Sequence, residues 1–274
     1  MITSARERFI TYAILLVFVI VALVPVWEIV ATALSSSSAV NTGVPIPDGI
    51  HLHNFVDAWN RGHFGSYLRS SAIVAVTVVV AAGVFSTLAA YAFGTMRFPG
   101  STVLFYLFLL GLTVPEEALV IPLYYDLRGL SLTDTYWALI LPQTAQSVAF
   151  GTFWMRTYFR NSSRSLIEAA RMDGASSWGV LWRVLAPAGS PAITTMVVVT
   201  FMWTWNEFLL ALVMVSSDSR RTVPLGLAFF QGAHSSDVSL LAAGAVLVAL
   251  PVVLVYLFFQ RRFIEGMLTG AVKE

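Results

Sequence analysis

The sequence predicts an all-α membrane protein of six transmembrane helices with both ends on the cytoplasmic side, and three observations carry that prediction. Of 274 residues, 57% are hydrophobic and only 11% charged, with a mean hydropathy of +0.77. That is too apolar for a soluble domain of ordinary surface-to-volume ratio. Six stretches supply the roughly 20 mostly apolar residues a spanning helix needs: 9–34, 70–93, 103–124, 137–159, 192–215 and 240–260. An N-in, C-in orientation puts Arg6, Arg8, Arg97, Arg156, Arg160, Arg164, Arg171, Arg183, Arg261, Arg262 and Lys273 inside, against Arg61, Arg69, Arg128, Arg220 and Arg221 outside. That bias of roughly two to one is the one the positive-inside rule requires.

The first span follows Arg6 and Arg8 and ends in Ala31-Thr32-Ala33, which resembles a signal peptide with its cleavage site. Its apolar run exceeds the about 7–15 residues of a signal core, so an uncleaved anchor is expected. Residues 35–69 form the main extracytoplasmic loop, turn-rich through Pro45, Pro47, Asp48 and Gly49. His51, His53, His63 and His234 all fall in predicted outside loops. His51 and His53 have no carboxylate or cysteine companions, so they are read as surface residues and no metal site is expected.

The third span is interrupted by Pro115 and Pro122, with Glu116 and Glu117 between them. Backbone groups freed by proline survive in a membrane only against protein or a wet cavity, so the outer half of this span is expected to face away from lipid. In the fifth span, Asn206 and Glu207 sit near mid-membrane, where charge is expensive and usually faces the bundle interior or a water-filled path. A purely structural interhelix hydrogen bond is the alternative. Glu28, Glu116 and Glu117 lie near outer span ends, where a plain interfacial explanation also holds.

Between the fourth and fifth spans lies a cytoplasmic loop, 160–190, that reads as helix, turn, helix. Ser165 with Glu168 three residues later has the form of a capping box. Asp173-Gly174 is a natural stop, because glycine tolerates the left-handed conformation that commonly ends a helix. A second helix follows with Trp178, Leu181, Trp182 and Leu185 at i, i+3, i+4 and i+7, a stripe expected to pack under the bundle. Pro187 ends it, and Ser190-Pro191 offers an N-cap and first-turn proline for the fifth span. Ala169, Ala170 and Ala175 suit close approach by a partner. Local physics leaves two readings open, a docking platform or a plain connector.

Several chemistries are excluded. There is no cysteine, hence no disulfide, thiol catalysis or structural Cys-zinc site. The only lysine is Lys273, followed by Glu274, so the chain has no P-loop and any ATP chemistry belongs to another chain. Neither a nucleophile elbow nor a plausible triad occurs, and no catalytic site is expected. A net charge of +1 gives no reason to expect nucleic acid as a partner.

Glu168-Ala169-Ala170, Asp173-Gly174-Ala175, Pro187 and Pro191 stand at the spacing of the EAA motif, and on these residues the chain resembles the membrane permeases of bacterial ABC importers. Further matches point to the carbohydrate branch, the maltose-type and specifically MalG-like permeases. They include Pro25-Val26-Trp27, Ala90-Tyr91-Ala92-Phe93, Arg97-Phe98-Pro99-Gly100, Ile121-Pro122-Leu123-Tyr124 and Thr135-Tyr136-Trp137. Trp205-Asn206-Glu207-Phe208 and the tail Gln260-Arg261, Phe263, Gly266 and Gly270-Ala271-Val272-Lys273 extend the likeness over nearly the whole chain. Glu28 departs from the pattern, since the group usually has an apolar residue after the tryptophan.

The resemblance implies a single permease domain over 1–274 with the type I importer, MetI-like fold. It implies that the loop is a coupling helix, with Glu168, Ala169, Ala170, Asp173, Gly174 and Ala175 meeting the ATPase. It suggests ATPase contacts for the tail at Gln260, Gly270 and Lys273. The implied partners are a homologous permease in a heterodimer, two ATP-binding subunits that carry ATP and Mg, an extracytoplasmic solute-binding protein and a sugar. For a sugar path, Asn206, Glu207 and Glu117 offer polar groups, and Trp203 and Trp205 offer aromatic faces. Two rivals remain. One is an ion-coupled secondary transporter using Glu28 and Glu207; the other is a membrane scaffold that transports nothing.

Overall fold

The computed structural model describes residues 5–36, 46–162, 164–233 and 237–271, and among them every regular element is helical. The chain divides into two compact units, one of residues 1–65 and 226–250, the other of 66–225 and 251–274.

In the first unit, α1 (Ala5–Leu34) takes the first predicted span. Its residues 6–29 are exposed within this chain, whereas Ala31, Ala33 and Ser35 are fully buried. The predicted loop 35–69 contains a short helix that apolar content alone does not announce, α2 (His53–Arg61). Asn54 turns inward from it and donates to the carbonyls of Ala33 and Ser35, both at 2.9 Å, satisfying acceptors that the end of α1 leaves free.

Helix α3 (Phe64–Thr95) starts earlier than the predicted second span. The third span is broken: α4 (Ser101–Thr113) and α5 (Glu116–Gly129) meet at 99°. Pro115 makes that break. It has no amide hydrogen to donate and holds Val114 extended, at φ −79° and ψ 122°. Pro122, also expected to interrupt, lies inside α5 without ending it. Helix α6 (Trp137–Asn161) covers the fourth predicted span, and α7 (Arg164–Met172) and α8 (Ser177–Ala188) form the predicted loop.

The fifth predicted span is two helices, α9 (Ser190–Asn206) and α10 (Leu209–Met214), and α8 runs into α9 at 80°. Helices α11 (Val223–Ala233) and α12 (Val238–Ala271) follow. Among the described residues, α1, α3 and α12 are long and apolar enough to cross a membrane unbroken, and each bent pair counted as one span brings the number to five. Six were expected. The sixth stretch, α6, is a continuous helix whose apolar content is diluted by Gln143, Thr144, Gln146, Ser147 and Thr152.

The described residues of the second unit build two apolar cores. Val74 and Val78 of α3, Leu139 and Ile140 of α6, and Leu210 and Met214 of α10 build one. Ala90 and Tyr91 of α3, Met155 and Phe159 of α6, and Met196 of α9 build the other, together with Ala170, Val180, Leu181 and Leu185 from α7 and α8. Between them along the same helices run buried polar residues: Ser86 and Thr87, Gln143, Ser147 and Thr152, and Thr200 and Thr204. Gly151 lets α6 approach at this level, since a Cβ there would overlap Ser86 Oγ and stand 2.8 Å from Met196 Sδ.

At the end of this unit away from α7 and α8, Asp134 joins two loops. Its carboxylate accepts from the Ser216 and Ser217 amides at 3.1 and 2.9 Å and pairs with Arg220 at 3.0 Å. Asp218 nearby accepts from Tyr67 Oη at 2.8 Å and pairs with Arg221 at 2.7 Å.

Candidate functional site

A groove of about 770 Å³ opens at the polar level of the second unit. Glu116 of α5, Gln143, Gln146 and Ser147 of α6, and Met202, Trp203, Asn206, Glu207 and Phe208 around the end of α9 line it. The break after α9 makes the opening. Asn206 bonds back to the Met202 carbonyl at 2.7 Å, and Glu207 is extended, at φ −64° and ψ 124°. Its carboxylate then caps α10, Oε1 accepting from the Leu210 amide at 2.7 Å and Oε2 from the Ala211 amide at 3.1 Å. These two oxygens take up amides that the first turn of α10 leaves without intrahelical partners.

Three of the five residues expected in a solute path, Trp203, Asn206 and Glu207, therefore come together. Glu207, expected near the middle of one continuous span, stands at the break between two helices and bonds to backbone. Trp205 turns away, 5% exposed and packed on Phe201 at 5.4 Å. Trp203 is 51% exposed and meets Phe150 edge to face at 4.7 Å. Glu117 is exposed but outside the groove lining, and Glu116 takes its place. Glu117 points about 100° around α5 from Glu116, which carries it out of the lining.

The α6 residues were not anticipated. Gln143, Gln146 and Ser147 fall at i, i+3 and i+4, a one-faced polar stripe that helical periodicity alone could have flagged. Among the described residues, Gln143 Oε1 and Glu116 Oε1 are buried with no hydrogen-bond partner. Native structures seldom leave such oxygens unpaired.

The second candidate region is the α7–α8 pair. Helix α7 begins at Arg164, so Ser165 lies in its first turn and not at the N-cap expected of it; residue 163 lies outside the described residues. The stop is as expected. Gly174 has φ +82°, its amide donates to Arg171 at 3.0 Å and the Ala175 amide donates to Ala170 at 3.0 Å, the two bonds of a Schellman turn. Glu168, Ala169, Asp173 and Gly174 are exposed, with Met172 at 88%. Ala170 is not available to a partner, being buried in this chain's own core, and Ala175 packs against the same core.

In α8, Ser176 caps the first turn by accepting from the Gly179 amide at 3.2 Å. The expected four-residue stripe divides. Leu181 and Leu185 are buried with Val180, whereas Trp178 is 63% exposed and Trp182 lies edge-on to it at 5.7 Å. Residues Val180–Leu185 are π-wound. Bonds from i to i+5 align Val180 with Leu185 and rotate the two tryptophans off the buried face. The tryptophans and Arg183 instead line a hollow of about 390 Å³ beside the Gly174 turn.

In the tail, Gln260 donates to its own helix at Leu257, 3.1 Å away, Gly270 lies on α12, and Lys273 lies outside the described residues. Thr195 Oγ1 of α9 donates to the Phe263 carbonyl at 3.3 Å, tying α12 to the helix that carries the groove. His234 also lies outside the described residues. Glu28, in the first unit, lines a pocket of about 350 Å³ with Thr32 and Gln231.

Residues 82–268 match the family described as "Binding-protein-dependent transport system inner membrane component". The chain is 35% identical to the probable ABC transporter permease protein YurM of Bacillus subtilis (strain 168), over 90% of this chain and 82% of that protein. It is 28% identical to the diacetylchitobiose uptake system permease protein NgcG of Streptomyces coelicolor, over 97% and 90%. Among solved structures it resembles a chain of a bacterial ABC transporter involved in import of the acidic polysaccharide alginate. The TM-score is 0.78 at 25% identity, over 96% of this chain and 99% of that one.

Proposed function

This chain belongs to the family of inner membrane components of binding-protein-dependent transport systems, and on that premise we propose that it couples a separate ATPase to sugar passage through the α7–α8 pair. It is a multi-pass protein of the cytoplasmic membrane and a permease subunit. A sugar is the proposed solute because the names of NgcG and of the solved relative specify diacetylchitobiose and alginate.

The observation that carries the coupling reading is mechanical continuity. One side of the α7–α8 pair is an exposed surface of Glu168, Met172, Asp173, Gly174 and Trp178. The other side is locked by Ala170, Val180, Leu181 and Leu185 into the core that also holds Met155 of α6 and Met196 of α9. Helix α9 runs from there to Trp203, Asn206 and Glu207 at the groove. Force on the exposed side thus reaches the groove through packed helices, the kind of shear or rocking that alternating access uses.

In the assembly proposed, a homologous permease supplies the other half of the path and two nucleotide-binding subunits carry ATP and Mg. A solute-binding protein delivers the sugar to the outer mouth. Asn206, Glu207 and Trp203 line the path, and Gln260, Gly270 and Lys273 extend the contact with the ATPase.

Uptake by vesicles holding the whole assembly is expected to follow enclosed ATP and to survive collapse of ion gradients. Uptake that persists without ATP yet vanishes with the gradient would overturn the reading in favour of a secondary carrier. Undiminished uptake when this chain is omitted would reduce it to a scaffold.

A further inference from the structure

Resting on the transport reading above, we infer that the groove is a hydroxyl-reading half-site for neutral or amino-bearing sugars and turns away acidic ones. Gln143 is 5% exposed, lines the groove and has an unpartnered Oε1. A buried amide oxygen without a donor is costly, and a donor arriving from the groove removes the cost. Glu116 Oε1 is orphaned in the same way on the facing element. A sugar hydroxyl is such a donor, and an ammonium group is a stronger one.

The rest of the lining has the same bias. Gln146 and Asn206 add amides that donate or accept, Glu207 adds a second carboxylate, and no described lining residue is Lys, Arg or His. The exposed ring of Trp203 offers an apolar face on which a sugar ring can lie. A uronate, sulfate or phosphate entering this space would shed water beside two acidic side chains, with no cation among the described lining residues to replace it. Discrimination by a repulsive element is how such sites reject a near-isostere.

This chain has no cysteine, so Met202→Cys gives it a single thiol on the groove wall, and the assembled transporter without the substitution serves as the blank for any partner thiols. A cationic methanethiosulfonate is expected to modify it several-fold faster than an anionic one, with the ratio falling when Glu116→Gln is added. Equal rates, or a faster anionic reagent, overturn the proposal. The second readout is protection from a neutral maleimide by maltotriose, chitosan trisaccharide or trigalacturonate. Protection is expected from at least one of the first two, none from trigalacturonate, and weaker protection after Gln143→Met. Protection by trigalacturonate, protection by none, or protection unchanged by Gln143→Met overturns it. The reagent ratio needs neither ATP nor sugar, so its failure is distinguishable from a failure of ATP-driven uptake.

Discussion

Asp134 adopts a left-handed backbone, φ 56°, which aspartate tolerates better than most residues, and from there its carboxylate gathers the Ser216, Ser217 and Arg220 donors. Partial burial pushes its carboxyl up, but the Ser217 and Ser216 hydrogen bonds and the Arg220 guanidinium outweigh that and hold it below the ordinary carboxylate value. A group depressed in the fold stabilises at pH above its unfolded value of about 4 and loses that contribution as pH falls through the folded value. Asp134→Asn is therefore expected to cost about 1 kcal/mol at neutral pH, with the difference shrinking below about pH 4. Thermal unfolding of detergent-purified protein across that range checks it. At Gly174 nothing lies within 4 Å of an added Cβ, so Gly174→Ala meets only the backbone strain of φ +82°, about 1–2 kcal/mol. Uptake is expected to fall much further than that modest strain explains, which comparing melting temperature with transport in the same preparation would reveal.

At the level of the helix, α8 separates a buried face at Val180, Leu181 and Leu185 from an exposed one at Trp178. Leu181→Ala opens the core and is expected to cost about 2–5 kcal/mol of stability. Trp178→Ala removes an exposed ring, so stability is expected to stay within about 0.5 kcal/mol while copurification of the ATPase subunits weakens. Intact copurification with the Trp178 variant would remove that residue from the docking surface. The sequence stripe at 178, 181, 182 and 185 assumed a period of 3.6, and the π-wound turn broke that assumption. Nothing in the side chains of 180–185 signals i to i+5 bonding. The third-span break was legible because Pro115 lacks a donor. The break at Glu207 was not, since neither proline nor glycine marks it and the capping that stabilises it appears only once Leu210 and Ala211 are in place.

Across the whole chain, the apolar stretches, the charge bias and the loop's turn chemistry were readable because each is a local or compositional signal. The groove was only half readable. Asn206, Glu207 and Trp203 stood out as polar or aromatic residues in one span, but Glu116, Gln143 and Gln146 lie 57 or more residues away in sequence, where apolar content dominates. The two orphaned oxygens exist only as a product of packing. In the proposed coupling, the exposed edge of α7 receives the stroke of the ATPase and α9 carries it to the groove. Glu168 is exposed, so its loss should disturb the fold by no more than about 0.5 kcal/mol. The most direct measurement is ATP-driven sugar uptake by vesicles holding the assembled transporter with Glu168→Ala. Normal assembly and thermal stability with uptake abolished is the expected result, and uptake at the unsubstituted rate would overturn the coupling role of α7.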